Sequence, residues 1–111
     1  MKLTNLDRLP SQEVSHNPEI KKKVMLAFGD LPHLTNFSQA VFAPEQIASN
    51  HCHQDMNEVF FVQSGSGIIR INDRDFNLVP GTCIAVEAGE YHEIINRGKT
   101  DLILTYFGIK V

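Results

Sequence analysis

His51, Cys52 and His53, followed by Gln54-Asp55-Met56-Asn57 and then Glu58, are the residues of this chain best suited to chemistry. On an extended strand, residues i and i+2 point to the same side, so His51 and His53 can present two imidazoles to a single ion. Neutral imidazole is the commonest metal ligand among side chains. The polar stretch after His53 suits a chain reversal, which would return the Glu58 carboxylate to the histidines. His92, in a later apolar segment, adds a third nitrogen. Three nitrogens and one oxygen suit a divalent transition metal, with coordination positions left open for water or substrate. Such an ion polarises a bound oxygen as a Lewis acid or, if it is iron, activates dioxygen. The donor set accepts Fe, Mn, Ni, Co, Cu or Zn, so the expectation is one divalent metal per chain, of unassigned identity. Glu58 is also a candidate base, from its position alone.

The elements that must position these residues are short. From about Lys22 onward the chain alternates apolar segments rich in Val, Ile, Phe and Thr with turn-forming residues. The segments predict strands over Lys22–Phe28, Phe37–Ala43, His51–His53, Glu58–Gln63, Gly67–Ile71, Asp75–Val79, Thr82–Glu87, Tyr91–Asn96 and Leu102–Gly108. Between them lie Gly29-Asp30-Leu31-Pro32, Ser64-Gly65-Ser66-Gly67, Asn72-Asp73-Arg74-Asp75, Pro80-Gly81 and Arg97-Gly98-Lys99, all tolerant of tight turns. No stretch sustains a helical period. The expected fold is all-β, an antiparallel sandwich or barrel. Alternation places Glu58, Phe60 and Val62 on one face, and His92, Ile94 and Asn96 on one face.

These residues resemble the two motifs of the cupin superfamily. The first, a histidine pair separated by one residue and followed by a glutamate and a glycine, reads here as His51, His53, Glu58 and, after six further residues, Gly65. The second reads as Gly81, Ala88-Gly89, His92 and Asn96. The resemblance covers roughly Phe37 to Gly108. It implies a double-stranded β-helix, the jelly-roll barrel, with a metal inside held by His51, His53, Glu58 and His92. It also implies a homodimer. Two positions depart from the pattern: Glu45 stands where the family has a glycine, and Glu87 where it has a proline. Both are turn positions, so the departures bear on turn geometry more than on the site.

Residues 1–20 read as an extended N-terminal arm and residues 21–111 as the cupin β-barrel domain. The arm carries Pro10 and Pro18 with several turn formers, and no convincing periodicity. It is expected to cross the barrel surface or to reach a partner subunit, and could add a strand there. Lys21-Lys22-Lys23 reads as a solvated strand start. Cys52 is expected to face away from the histidines as a small packing residue, and Cys83 receives the same reading. Asp55 is a turn residue and an alternative oxygen ligand. His16 and His33 read as exposed, Gln63 as opposite to Glu58, and Glu90 and Glu93 as surface charges. Phe60, Val62, Ile94 and one face of Leu102–Phe107 line the expected cavity. Asn96 is a hydrogen-bonding or turn residue rather than a catalyst.

The chain has 111 residues, 42% of them hydrophobic and 21% charged, with a net charge of −3. That suits one folded domain and gives no basic face for nucleic acid. Two cysteines make no disulfide framework, and no apolar run is long enough for a membrane span. With no secretory leader, the expected location is the cytoplasm. No arginine or lysine falls on the ligand-bearing faces, which argues against a phosphosugar or dicarboxylate ligand unless Arg70 or Arg74 turns inward. Two functions stay open. One is a metal-dependent enzyme of dioxygenase, isomerase or lyase type on a small organic substrate. The other is a non-catalytic binding or sensor module acting through a partner.

Overall fold

A computed structural model describes residues 1–14 and 17–111 of the chain; His16 lies outside the described residues. A short 3-10 turn at Leu6–Arg8 is followed by the strands β1 (Gln12–Val14), β2 (Asn17–Leu26), β3 (Leu34–Phe42), β4 (Ile47–His51) and β5 (Met56–Ser64). The chain continues as β6 (Gly67–Ile71), β7 (Arg74–Leu78), β8 (Cys83–Val86), β9 (His92–Ile95) and β10 (Leu102–Lys110). The strands form a six-stranded sheet in the order β1-β2-β3-β10-β5-β8, and a four-stranded sheet in the order β4-β9-β6-β7. Every pairing is antiparallel. The strand spacing predicts an antiparallel two-sheet fold of this kind, and the jelly roll is the form that the cupin resemblance implies. Among the described residues no helix is long and apolar enough to cross a membrane.

Alternation builds the core. Ala40, Phe42, Phe60, Val62, Leu102 and Leu104 come from the larger sheet, and Ala48, Ile69, Leu78 and Ile94 from the smaller. Along β3 and β5 every second residue of the central stretch is buried against the opposing sheet, as a two-layer β fold requires. Asn72 and Asp73, both at positive φ, make the two-residue connection between β6 and β7. Mirror-image turns of this kind match the strand twist and favour Asn and Asp. Gly65 has a φ of +80°, and a side chain there would collide with the Asp101 carbonyl. This glycine is therefore required by close backbone approach.

The two departures from the motifs have structural answers. Glu45 adopts a φ of 72°, so the left-handed turn is kept without glycine. The Glu45 N–H donates to the Asn96 carbonyl at 2.8 Å, which holds the turn in place. At Glu87 the N–H donates to the Glu90 carboxylate at 2.7 Å, a bond that proline could not make. The turn closes with the Glu90 N–H bonded to the Glu87 carbonyl, and Gly89 takes the left-handed position.

Some elements differ from the sequence reading. The N-terminal stretch without periodicity contains β1 and the start of β2, which extend the larger sheet. A three-residue strand is too short to show alternation, and its partner fixes it. Thr4 and Leu6 lie along β2, bonded to the Met25 carbonyl and the Lys23 ammonium. The strand expected over His51–His53 instead ends at His51. Cys83 is exposed rather than packed. It lies on the edge strand β8, where Val86 is buried and Ile84 packs on the core, so alternation turns Cys83 outward.

Candidate metal centre

Three strands and one loop converge on the cluster. His51 ends β4, and His53 follows two residues later outside the strand. Glu58 lies in β5 and His92 begins β9. The phase of β4 matters here. Ala48 faces the core, and strict alternation from it would turn Asn50 inward and His51 out. The pairing of β4 with β9 is irregular between Ala48 and His51, and the slip places His51 directly opposite His92. A bulge of this kind re-aims a side chain at the cost of one unpaired residue.

The four ligand atoms, one from each residue, lie within 4.8 Å of one another. The His51 and His92 rings are 4.3 Å apart between centroids, and the His51 and His53 rings 5.0 Å. Glu58 Oε1 stands 3.4 Å from His53 Nε2 and 3.3 Å from His92 Nε2. Nitrogen and oxygen ligands about 2.0–2.2 Å from a shared ion lie up to about 4.4 Å apart, so a small contraction would accommodate one. The backbone fixes two of the rings. His51 Nδ1 contacts the Ser49 carbonyl at 2.6 Å and His92 Nδ1 the Glu90 carbonyl at 3.1 Å. A carbonyl at Nδ1 keeps the proton there and presents Nε2, with its lone pair, to the centre.

Two atoms of the cluster stand apart from the rest in their surroundings. Glu58 is 6% exposed and His92 2% exposed. Among the described residues, Glu58 Oε1 and His92 Nε2 are buried with no hydrogen-bond partner. Their mutual 3.3 Å contact is electrostatic without hydrogen-bond alignment. Burying a carboxylate and an imidazole nitrogen unsatisfied costs several kcal/mol, on the order of 1–3 for each group and more for a charge. A cation at their meeting point would remove that cost, and the donor set is of the type that holds one. In the metal-free site burial disfavours the His92 imidazolium. The Glu58 carboxylate and the Glu90 carbonyl outweigh burial and hold the His92 pKa above its ordinary value.

The cluster forms one wall of a cavity of about 130 Å³. Phe60, Ile94 and Leu104 line it, as expected, whereas Val62 is buried in the core and does not. Tyr106 also lines it, stacked on Phe60 at 5.5 Å. Burial and the Glu58 carboxylate push the Tyr106 phenol up to about 12.

The other candidates separate cleanly. Asp55 and Cys52 are not in the ligand cluster; the Asp55 carbonyl accepts from the Val111 N–H, and Cys52 Sγ lies 3.5 Å from Gln54 Nε2. Gln63 is exposed and bonds Gln39 and Thr105 on the outer face. Glu93 pairs with Arg70, which also pairs with Asp75, while the Arg74 guanidinium lies over the Phe76 ring. Neither arginine lines the cavity. Asn96 is fully buried and structural. The sequence reading did miss one cation: Lys22 lines the cavity, together with Val14 and Asn36. Alternation with Ile20 and Val24 was the signal that could have found it.

The family model described as Cupin domain matches residues 38–108, more than half of the chain. A curated oxalate-binding protein of Thermotoga maritima is 29% identical over 66 residues, which cover 60% of this chain and 54% of that protein. The chain thus spans about half the length of this relative. A solved structure from Thermotoga maritima, described as a predicted oxalate decarboxylase, has a TM-score of 0.87 at 19% identity and covers 98% of this chain and 99% of its own. The polyketide cyclase RemF of Streptomyces resistomycificus has a TM-score of 0.83 at 18% identity, with coverage of 98% and 79%. At such identities the structural likeness shows the fold alone.

Proposed function

This chain belongs to the cupin family, and we propose that it holds one divalent transition metal through His51, His53, Glu58 and His92 and acts as a metal-dependent enzyme on a small organic substrate. The observation that carries this reading is the pair of unsatisfied buried atoms, Glu58 Oε1 and His92 Nε2, inside a four-residue ligand cluster. When bound, the metal supplies Lewis-acid polarisation or, if iron, dioxygen activation, which suits dioxygenase-, isomerase- or lyase-type chemistry. The residues of the chain do the rest. The Ser49 and Glu90 carbonyls orient His51 and His92, and the apolar walls of Phe60, Ile94 and Leu104 limit water in the cavity. Glu58 is the candidate base, since its carboxylate borders the space a substrate would enter.

A second reading is a non-catalytic binding module. It is supported by the curated Thermotoga maritima relative, which is named for binding oxalate. We also propose a cytoplasmic location, where the free thiols of Cys52 and Cys83 would persist. Both readings favour a homodimer, which would cover the apolar outer face formed by Phe37, Phe107 and the exposed Phe61.

His51→Ala and His92→Ala test the site. Each should lower the metal content of the purified protein at least tenfold while the chain still folds. Wild-type metal content in both variants would sink the assignment.

A further inference from the structure

The cavity holds one charged side chain that the metal reading does not use. In β2 the consecutive lysines Lys21, Lys22 and Lys23 pair across β3 with Val41, Ala40 and Gln39. Directly opposed residues of an antiparallel pair share a face. Ala40 is buried and lines the cavity, and Leu104, opposite Ala40 on β10, lines it too. The row Lys22–Ala40–Leu104 therefore faces inward, one step along from Ile20, which is fully buried. The outer lysines are held elsewhere. Lys21 Nζ lies 3.7 Å from Glu13, and Lys23 Nζ donates to the Leu6 carbonyl at 3.2 Å. Ala40 and Ala48, both small, line the same cavity as Lys22.

Around Lys22 the walls are apolar, with Val14, Phe42, Ala48 and Ile94 among them. The remaining polar groups are committed. The Asn36 Oδ1 accepts from the Ser38 hydroxyl at 2.7 Å. Glu58 faces the imidazoles. Among the described residues no carboxylate lies within ion-pair range of Lys22. A divalent ion at the cluster would leave the cavity positively charged even after Glu58 is counted. An anion is what such a cavity complements. At about 130 Å³ the space is well below the roughly 300–1,000 Å³ of pockets for drug-sized ligands. Lys22 is a point charge, and among the described residues no second lysine or arginine lines the cavity beside it, which suits the single charge of a carboxylate at that end.

We propose that Lys22 is the anion-recognition residue of this cavity and that the ligand is a small organic acid, its carboxylate at the Lys22 ammonium and a second oxygen group directed to the metal cluster. The inference rests on the metal reading above.

The test is calorimetric titration of the zinc-loaded protein with malonate, succinate and glutarate, with inorganic phosphate as the competing anion and zinc content measured in each sample. Lys22→Met should weaken the best-bound diacid at least tenfold while zinc content stays at the wild-type level. Lys22→Gln should do the same, which guards against a folding defect in one variant, and Lys22→Arg should retain affinity within about fivefold. Undiminished diacid affinity in the folded Met or Gln variant would overturn the proposal, as would phosphate binding more tightly than every diacid. A wild-type chain that takes up no zinc would contradict the metal reading instead. Lys22 would then be judged by the same affinity ratio on the metal-free chain.

Discussion

His92 opens β9 and Asn96 follows its last residue, both are buried, and their side chains are treated in opposite ways. Asn96 is closed. Its Nδ2 donates to the Phe42 and Thr100 carbonyls, each at 2.9 Å, and its Oδ1 accepts from the Gly98 N–H at 2.9 Å. Its backbone N–H reaches the Gln46 carbonyl at 3.1 Å, so it fastens the loop after β9 to the turn before β4. His92 is half closed. Nδ1 meets a carbonyl, whereas Nε2 faces Glu58 with no hydrogen bond. A buried polar group that serves the fold is satisfied from within the fold. One left unsatisfied beside three other metal-type donors is open to something from outside. The contrast separates the structural member of the second motif from the candidate ligand.

The largest effect expected from breaking this contrast on the structural side belongs to Asn96→Ala. It removes three hydrogen bonds and strands two backbone carbonyls, at a cost of about 2–4 kcal/mol. For a domain of this size that lowers Tm by roughly 10–20 °C. Differential scanning calorimetry reads the loss. Elemental analysis of the folded variant should find metal at the wild-type ratio, because Asn96 holds the far end of the strand. Metal loss in folded Asn96→Ala would merge the two roles.

A smaller effect sharpens the same end of the barrel. Glu45 holds a left-handed backbone at about 1–2 kcal/mol above what glycine would need. Glycine also gives the unfolded chain more freedom, which offsets part of the gain. Glu45→Gly should therefore stabilise by about 0.5–1 kcal/mol net, seen as a rise in Tm of a few degrees. A fall in Tm would mean that the Glu45 side chain contributes more than its backbone costs.

The grouping of His51, His53 and Glu58 was legible in the sequence because it depends on short spacings, and that of His92 through the family resemblance. His51 and His53 lie one residue apart, a polar turn precedes Glu58, and His92 opens a strongly apolar segment. Those relations survive even though His53 lies beyond the strand that was expected to carry it. The slip in β4 that aims His51 inward was not legible, since the irregularity is a property of the pairing with β9 rather than of local composition. Lys22 was passed over because a run of three lysines reads as a solvated face, whereas strand alternation sends the middle one the opposite way. A turn was expected at Glu45, but its left-handed backbone was not legible, because glutamate seldom adopts that conformation and a bond to the Asn96 carbonyl, far along the chain, helps hold it. Cys83 was read as packed because an apolar segment does not announce which of its alternating faces meets solvent.

The most direct measurement is elemental analysis of the wild-type chain purified without chelator or nickel affinity, with protein concentration determined in parallel. The account predicts close to one iron, manganese, nickel, cobalt, copper or zinc ion per chain. No bound metal, and none taken up when each ion is added to the folded protein, would contradict it.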